Sequence, residues 1–132
     1  MLSEQIYTGQ GKRTARRALD TQPFTVEVSF EDRGKLLGIE GGTIGTYTSS
    51  PRPDGTLAGK GQGIFACADG EVITWKGIGA GRLMPGGAVS YRGALVFTAA
   101  SERLSRLNAI AGMFEFEVDE AGNTTTQIWE WK

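Results

Sequence analysis

The sequence predicts an all-β domain, an eight-stranded antiparallel barrel carrying one short helix, and three observations predict it. Apolar and polar residues alternate along most of the chain, as in "FTVEVSFED" at positions 24 to 32. Turn signals separate these runs at even spacing, as in an antiparallel sandwich or barrel. Glycine itself alternates in two neighbouring runs, "LAGKGQGIF" (57 to 65) and "WKGIGAGRL" (75 to 83).

The bulk numbers set the frame. The chain has 132 residues, enough for one domain, residues 1–132, with its own core. Hydrophobic residues make up 39%, which argues against disorder. Fourteen basic and 15 acidic residues leave a net charge of −1, without the electrostatic footprint of a nucleic-acid binder. The cluster "GKRTARR" (Lys12, Arg13, Arg16, Arg17) reads as a solvated strand or helix face. The lone Cys67 forms no internal disulfide and fits a reducing compartment. No run approaches the ~20 apolar residues of a membrane helix, and the N-terminal stretch lacks a signal-peptide core, so a cytoplasmic location and no membrane partner are expected. Histidine is absent, which removes Ser-His-Asp and Cys-His catalysis and histidine-based metal sites. No metal site and no cofactor are expected.

Taken in order, "EDRGK" (31 to 35) and "SSPRPDG" (49 to 55) divide the early strands. Asp69-Gly70 signals a two-residue hairpin, and "DEAGN" (119 to 123) a longer turn. In "AVSYRGALVFTA", Val89, Tyr91, Gly93, Leu95 and Phe97 share a face. In "AIAGMFEFEVD", Ile110, Phe114, Phe116 and Val118 oppose Met113, Glu115 and Glu117. "NTTTQIWEWK" ends the chain with β-branched and aromatic residues. "ASERLSRLNA" (100 to 109) is the helix candidate, with Ser101 as cap and Leu104 and Leu107 on one face.

Neither glycine run has the spacing or the following helix of a dinucleotide fingerprint, and neither ends in the Lys-Ser or Lys-Thr pair of a P-loop. They read as the two strands of one hairpin. With a two-residue loop, Gly63 faces Lys76 and Gln62 faces Gly77, which puts the two sets of glycines on opposite faces of the sheet. Glycine rows in strands mark sharp coiling or a close approach of ligand or backbone.

The hairpin "GKGQGIFACADGEVITWKGIGAG", the strand "YRGALVF" and the segment "LSRLNAIAGMFEFEVDEAGNTTTQIWEW" together resemble the small allene-oxide-cyclase-like barrels of the calycin group, which include bacterial domains of unknown function. The resemblance covers about residues 38 to 132. It implies an eight-stranded barrel with an interior pocket, often assembled as a homo-oligomer. The activities it implies are cofactor-free cyclisations and rearrangements of hydrophobic substrates.

Tyr91 is either core or a ligand contact, and Trp75 either walls a pocket floored by Gly77 and Gly79 or fills the void they leave. Phe65, Phe97, Phe114 and Phe116 are the other candidate ligand-binding residues. Tyr91 with Glu40 is the candidate acid–base pair, since a carboxylate at a barrel mouth can have a raised pKa. Lys76, Arg82 and Arg92 read as surface charges. Glu115 and Glu117 read as outward residues rather than a glycosidase pair or cation site. Trp129 and Trp131 are either an interface or pocket walls, and Cys67 an inert thiol.

Three functions follow: a binder of a small hydrophobic molecule in the barrel interior, a cofactor-free cyclase or isomerase in the same cavity, or a packed oligomeric barrel. The last predicts an interior filled by Phe24, Val28, Phe65, Phe97, Phe114 and Phe116.

Overall fold

The alternation is carried by eight strands: β1 (Leu2–Thr21), β2 (Phe24–Leu36), β3 (Ile39–Pro51), β4 (Leu57–Cys67), β5 (Val72–Leu83), β6 (Val89–Ala99), β7 (Ala111–Val118) and β8 (Asn123–Trp131). Each pairs antiparallel with the next, and β1 pairs back onto β8, so the sheet closes as a barrel. The structure is a computed structural model that describes residues 2–132, with side chains from Glu4 onward. Closure removes the open edges that an antiparallel sheet otherwise presents.

One stretch escapes closure. Pairing of β1 with β8 ends at Lys12–Asn123, whereas pairing with β2 continues to Thr21–Phe24. The basic cluster lies here, on a strand, with Arg16 and Arg17 exposed and Arg17 paired to Glu27 at 3.3 Å. Two register shifts, at Arg13/Ala15 and Ala18/Asp20, join those charges in guarding the free edge. Phe24 sits at the tip, 51% exposed, and so does not fill the interior; Val28 does face inward and is buried.

The glycine hairpin corrects the expected register. Cys67 N–H donates to Glu71 O (2.8 Å) and Gly70 N–H to Cys67 O (2.9 Å), enclosing a three-residue loop, Ala68 to Gly70. Gly70 takes φ +97°, the left-handed conformation such a loop needs at that place. The pairing is therefore Gly63–Trp75, Gly61–Gly77 and Gly59–Gly79, one residue away from the two-residue-loop register. A slip of one residue flips every side chain. Both glycine runs consequently share the inner face.

Two other expectations change. "EDRGK" is no turn: β2 runs through it, and the chain reverses at Leu37-Gly38, where both residues have positive φ. The expected helix is a 3-10 helix, Ser105–Ala109, after an irregular start. Ser101 is not its cap: Leu104 precedes the helix with no side-chain cap, and the Ser101 Oγ accepts from Leu104 N–H (3.2 Å) in the turn before it. The Asn108 side chain clamps the end of β6, taking Ala99 N–H (2.8 Å) and giving to Ala99 O (2.9 Å). Leu104 and Leu107 are three apart, the period at which a 3-10 helix stacks side chains, and both are buried.

Those two leucines close one end of the barrel, packing with Ile6, Leu36, Cys67, Ile73 and Ala99. The other end is filled by Phe30, Leu57, Tyr91, Phe116 and Val118. Trp75 and Phe114 pack against both groups, at mid-height.

Candidate functional site

The inner glycines give the aromatic side chains somewhere to lie. A Cβ on Gly59 would fall 2.9 Å from Tyr91 Cε1, one on Gly79 3.0 Å from Phe114 Cζ, and one on Gly63 2.5 Å from Trp75 Cε2. Large rings thus lean across bare backbone, and the room left over is a cavity of about 90 Å3. Phe65, Trp75, Tyr91, Phe97, Phe114 and Phe116, the six side chains singled out from sequence, all line it.

One sector of the wall is polar, and sequence reasoning missed it. Asp32 on β2 faces Thr43 on β3 across the sheet. Tyr7 on β1 reaches over Gly9 and Gly34, where added Cβ atoms would each lie 2.8 Å from its ring or hydroxyl. Its hydroxyl donates to Asp32 Oδ1 at 2.5 Å and lies 3.3 Å from Thr43 Oγ1. Asp32 is 5% exposed. On β8, Thr126 pairs with Gly9 and Thr124 with Gly11, the residue opposite Asp32. The hydroxyls of both threonines are buried and have no hydrogen-bond partner among the described residues. Thr126 lines the cavity together with Tyr7, Asp32 and Thr43.

Burial sets the electrostatics. It raises the Asp32 pKa above the ordinary carboxylate value, and hydrogen bonds from Tyr7 and from the Thr43 side chain and backbone oppose it. The two residues that hydrogen-bond Asp32, Tyr7 and Thr43, carry no positive charge. Burial also drives the Tyr7 hydroxyl up, the neighbouring Asp32 charge adding to it. Tyr47 and Tyr91 are likewise raised by burial; Arg13 and Arg16 partly offset the first, and a hydrogen bond with Ser49 the second. A carboxyl with a raised pKa held by a phenol can exchange a proton with a bound molecule or pair with its positive charge.

Glu40 is not part of this. It is exposed on the outer face, pairing in register with Lys35 at the start of β3, whereas Tyr91 bonds Ser49 near the far end of that strand. The candidate pair Tyr91–Glu40 is therefore not brought together: the two lie at opposite ends of the barrel. Lys76, Arg82 and Arg92 are exposed on the outer wall. Arg92 meets Glu117 (3.1 Å) and Glu115 (3.7 Å), which accounts for those carboxylates. Trp129 and Trp131 face outward, Trp131 being 58% exposed. Cys67 is buried, which pushes its thiol pKa up, with Asp69 and Glu71 adding to the shift.

A second depression, about 580 Å3, lies on the outside over β3 to β7, bounded by Arg52, Lys60, Ile78, Arg92 and Met113. Its cations Arg52, Lys60 and Arg92 are all exposed. Among the described residues, no helix is long and apolar enough to cross a membrane.

No protein-family model matches the chain, and no curated protein does. Solved structures do. A β-barrel-like protein from Acinetobacter baumannii AYE superposes with a TM-score of 0.83 at 12% identity, covering 100% of this chain and 96% of that one. A protein of unknown function from Clostridium acetobutylicum gives 0.83 at 11% identity, covering 96% of both chains. An enzyme from Penicillium herquei gives 0.65 at 16% identity, over 96% of this chain and 92% of that one. At these identities the likeness establishes the fold, a small closed β-barrel.

Proposed function

We propose that the protein binds a small hydrophobic molecule inside the barrel. The observation that carries this reading is the floor of inward glycines, from which Trp75 and Phe114 lean at mid-height and leave room unfilled. The glycines give the rings somewhere to lie, and it is the space of about 90 Å3 remaining among those rings that a ligand can occupy. Kinship with the allene-oxide-cyclase-like barrels of the calycin group belongs to the same reading, as does a cytoplasmic, self-associating protein.

Size limits the ligand. The cavity of about 90 Å3 is smaller than the ~150 Å3 hole that takes benzene in an engineered core. The buried part of the ligand therefore has only a few heavy atoms unless an aromatic side chain swings away. Small ligands gain at most about 1.5 kcal/mol per heavy atom. Five atoms then give about 7 kcal/mol, a micromolar affinity at best. Such a ligand washes off during purification, so binding has to be read at equilibrium. The test is an NMR titration with isobutanol as the probe. Shifts concentrated at Trp75, Phe114 and Thr126 are expected; shifts confined to Ile78, Val96 and Trp131 overturn the reading.

A second reading is a cofactor-free cyclase or isomerase, and one observation favours it. Such an enzyme needs a perturbed acid or base beside a hydrogen-bond donor, and Asp32 with Tyr7 meets that requirement.

A further inference from the structure

Among the described residues, Asp32 is the one strongly buried carboxylate that lines the cavity, and the side chains that hydrogen-bond it are neutral. Tyr7 approaches from β1, and Thr43 from β3 supplies a hydroxyl and a backbone N–H. A carboxylate removed from water is costly unless it is protonated or meets a positive charge. Neither Tyr7 nor Thr43, the two residues that hydrogen-bond it, carries a positive charge, so among the described residues its hydrogen-bond partners bring it none.

The surroundings suit a cation better than they suit any other charged ligand. Aromatic rings crowd the same space: Phe30 stands 4.9 Å from Phe116, 6.2 Å from Tyr47 and 6.5 Å from Trp75 between centroids. Ring faces carry negative potential and attract ammonium groups, the more so where water is excluded. An anion would meet Asp32 and those same faces. A metal ion is unsuited too, since no group of three or more ligating side chains occurs among the described residues.

A second acceptor points to the kind of cation. Thr126 lines the cavity, and its hydroxyl is buried with no partner among the described residues. It stands across Gly9 from the Tyr7–Asp32 pair. A primary ammonium carries three N–H donors and can address both oxygens, while a quaternary ammonium can address neither. The small volume limits the carbon part to a short chain against the Trp75 and Phe114 rings.

We propose that the barrel interior is a binding site for a small primary ammonium with a short apolar chain, its nitrogen seated between Asp32 and Thr126. The inference rests on the interior being a ligand pocket and adds the chemistry of the ligand's polar end.

Isobutylamine and its uncharged isostere isobutanol, titrated against the full chain near pH 7, test it. The amine is expected to bind at least about tenfold more tightly than the alcohol. In the Asp32→Asn variant that preference should vanish while isobutanol still binds. Equal or tighter binding of the alcohol by the unaltered protein overturns the proposal without needing any variant. Retention of the amine preference in Asp32→Asn overturns it as well. If neither probe perturbs Trp75, Phe114 or Thr126, the pocket reading falls and takes this one with it; alcohol binding without amine preference leaves the pocket standing and removes only the ammonium.

Discussion

The Tyr7 hydroxyl donates a 2.5 Å hydrogen bond to Asp32 inside the barrel, spanning two strands over Gly9 and Gly34. The pH dependence of stability follows from it. Asp32 has a raised pKa in the folded state, so the folded protein holds this proton more tightly than the unfolded chain does. Between the ordinary carboxylate value and the raised folded value, each rise in pH lowers stability; above the folded value the loss is complete. Asp54, Asp69 and Asp119 act in a different window. Their pKa values are lowered by hydrogen bonds, so their contribution is present above the usual carboxylate range and disappears as pH falls below it. Urea unfolding across this range should show a decline on the alkaline side of pH 4 that Asp32→Asn abolishes. Tyr7→Phe should cost about 1–3 kcal/mol and extend the decline to higher pH, because Tyr7 helps hold Asp32 ionised. An unchanged slope in Asp32→Asn contradicts the assignment.

Trp75 lies on Gly63, and the two should be energetically coupled. Gly63→Ala drives a methyl into the indole and is expected to cost about 1–3 kcal/mol. In a Trp75→Leu background the same substitution should cost less, with a coupling of about 0.5–3 kcal/mol in the double-mutant cycle. Additive effects would mean that the ring does not depend on the glycine floor.

If Asp32 acts as a base, the barrel should move carbon-bound protons. The expected result is deuteration of butanone next to its carbonyl in heavy water, faster with protein than in buffer. Asp32→Asn should abolish the effect and Tyr7→Phe reduce it, by about 10- to 100-fold if proton transfer limits the rate. Exchange no faster than in buffer counts against the enzyme reading while leaving binding intact.

Ile78, Val96 and Trp131 are 69%, 60% and 58% exposed on the outer wall. Val96 and Trp131 both pair in register with Ala111, which places them in one row across β6 to β8. The self-association in the proposed function would use this row. Light scattering after size exclusion should report more than one chain per particle, and Trp131→Ser should shift the particle toward monomer. A monomer at every concentration contradicts it.

Much of the barrel is legible because most of its strands alternate and its turns carry glycine, proline and aspartate. The six aromatic residues were legible for the same reason: each shares the phase of an apolar strand face. What failed was local. Asp69-Gly70 suggests a two-residue loop, but Gly70 closes a three-residue one, and that single residue decides which face the glycines occupy. Asp32 went unnoticed because "EDRGK" has the composition of a turn. Its signal was phase: Val28, Phe30, Asp32 and Leu36 continue one inward row, with the acid in step with the apolar residues. Tyr7 had a similar cue in "YTGQG", a third glycine alternation. Leu104 and Leu107 share a face in the sequence, yet three-residue spacing suits a 3-10 helix as well as an α-helix. Glu40 stands between Ile39 and Gly41, and those neighbours say nothing about which face it takes.

Intermolecular nuclear Overhauser effects between isobutanol and the protein address the central claim most directly. The account predicts contacts from the probe's methyl groups to the rings of Trp75 and Phe114, which only a molecule inside the barrel can reach together. Contacts restricted to Ile78, Val96 or Trp131, or none at saturating probe, would contradict it.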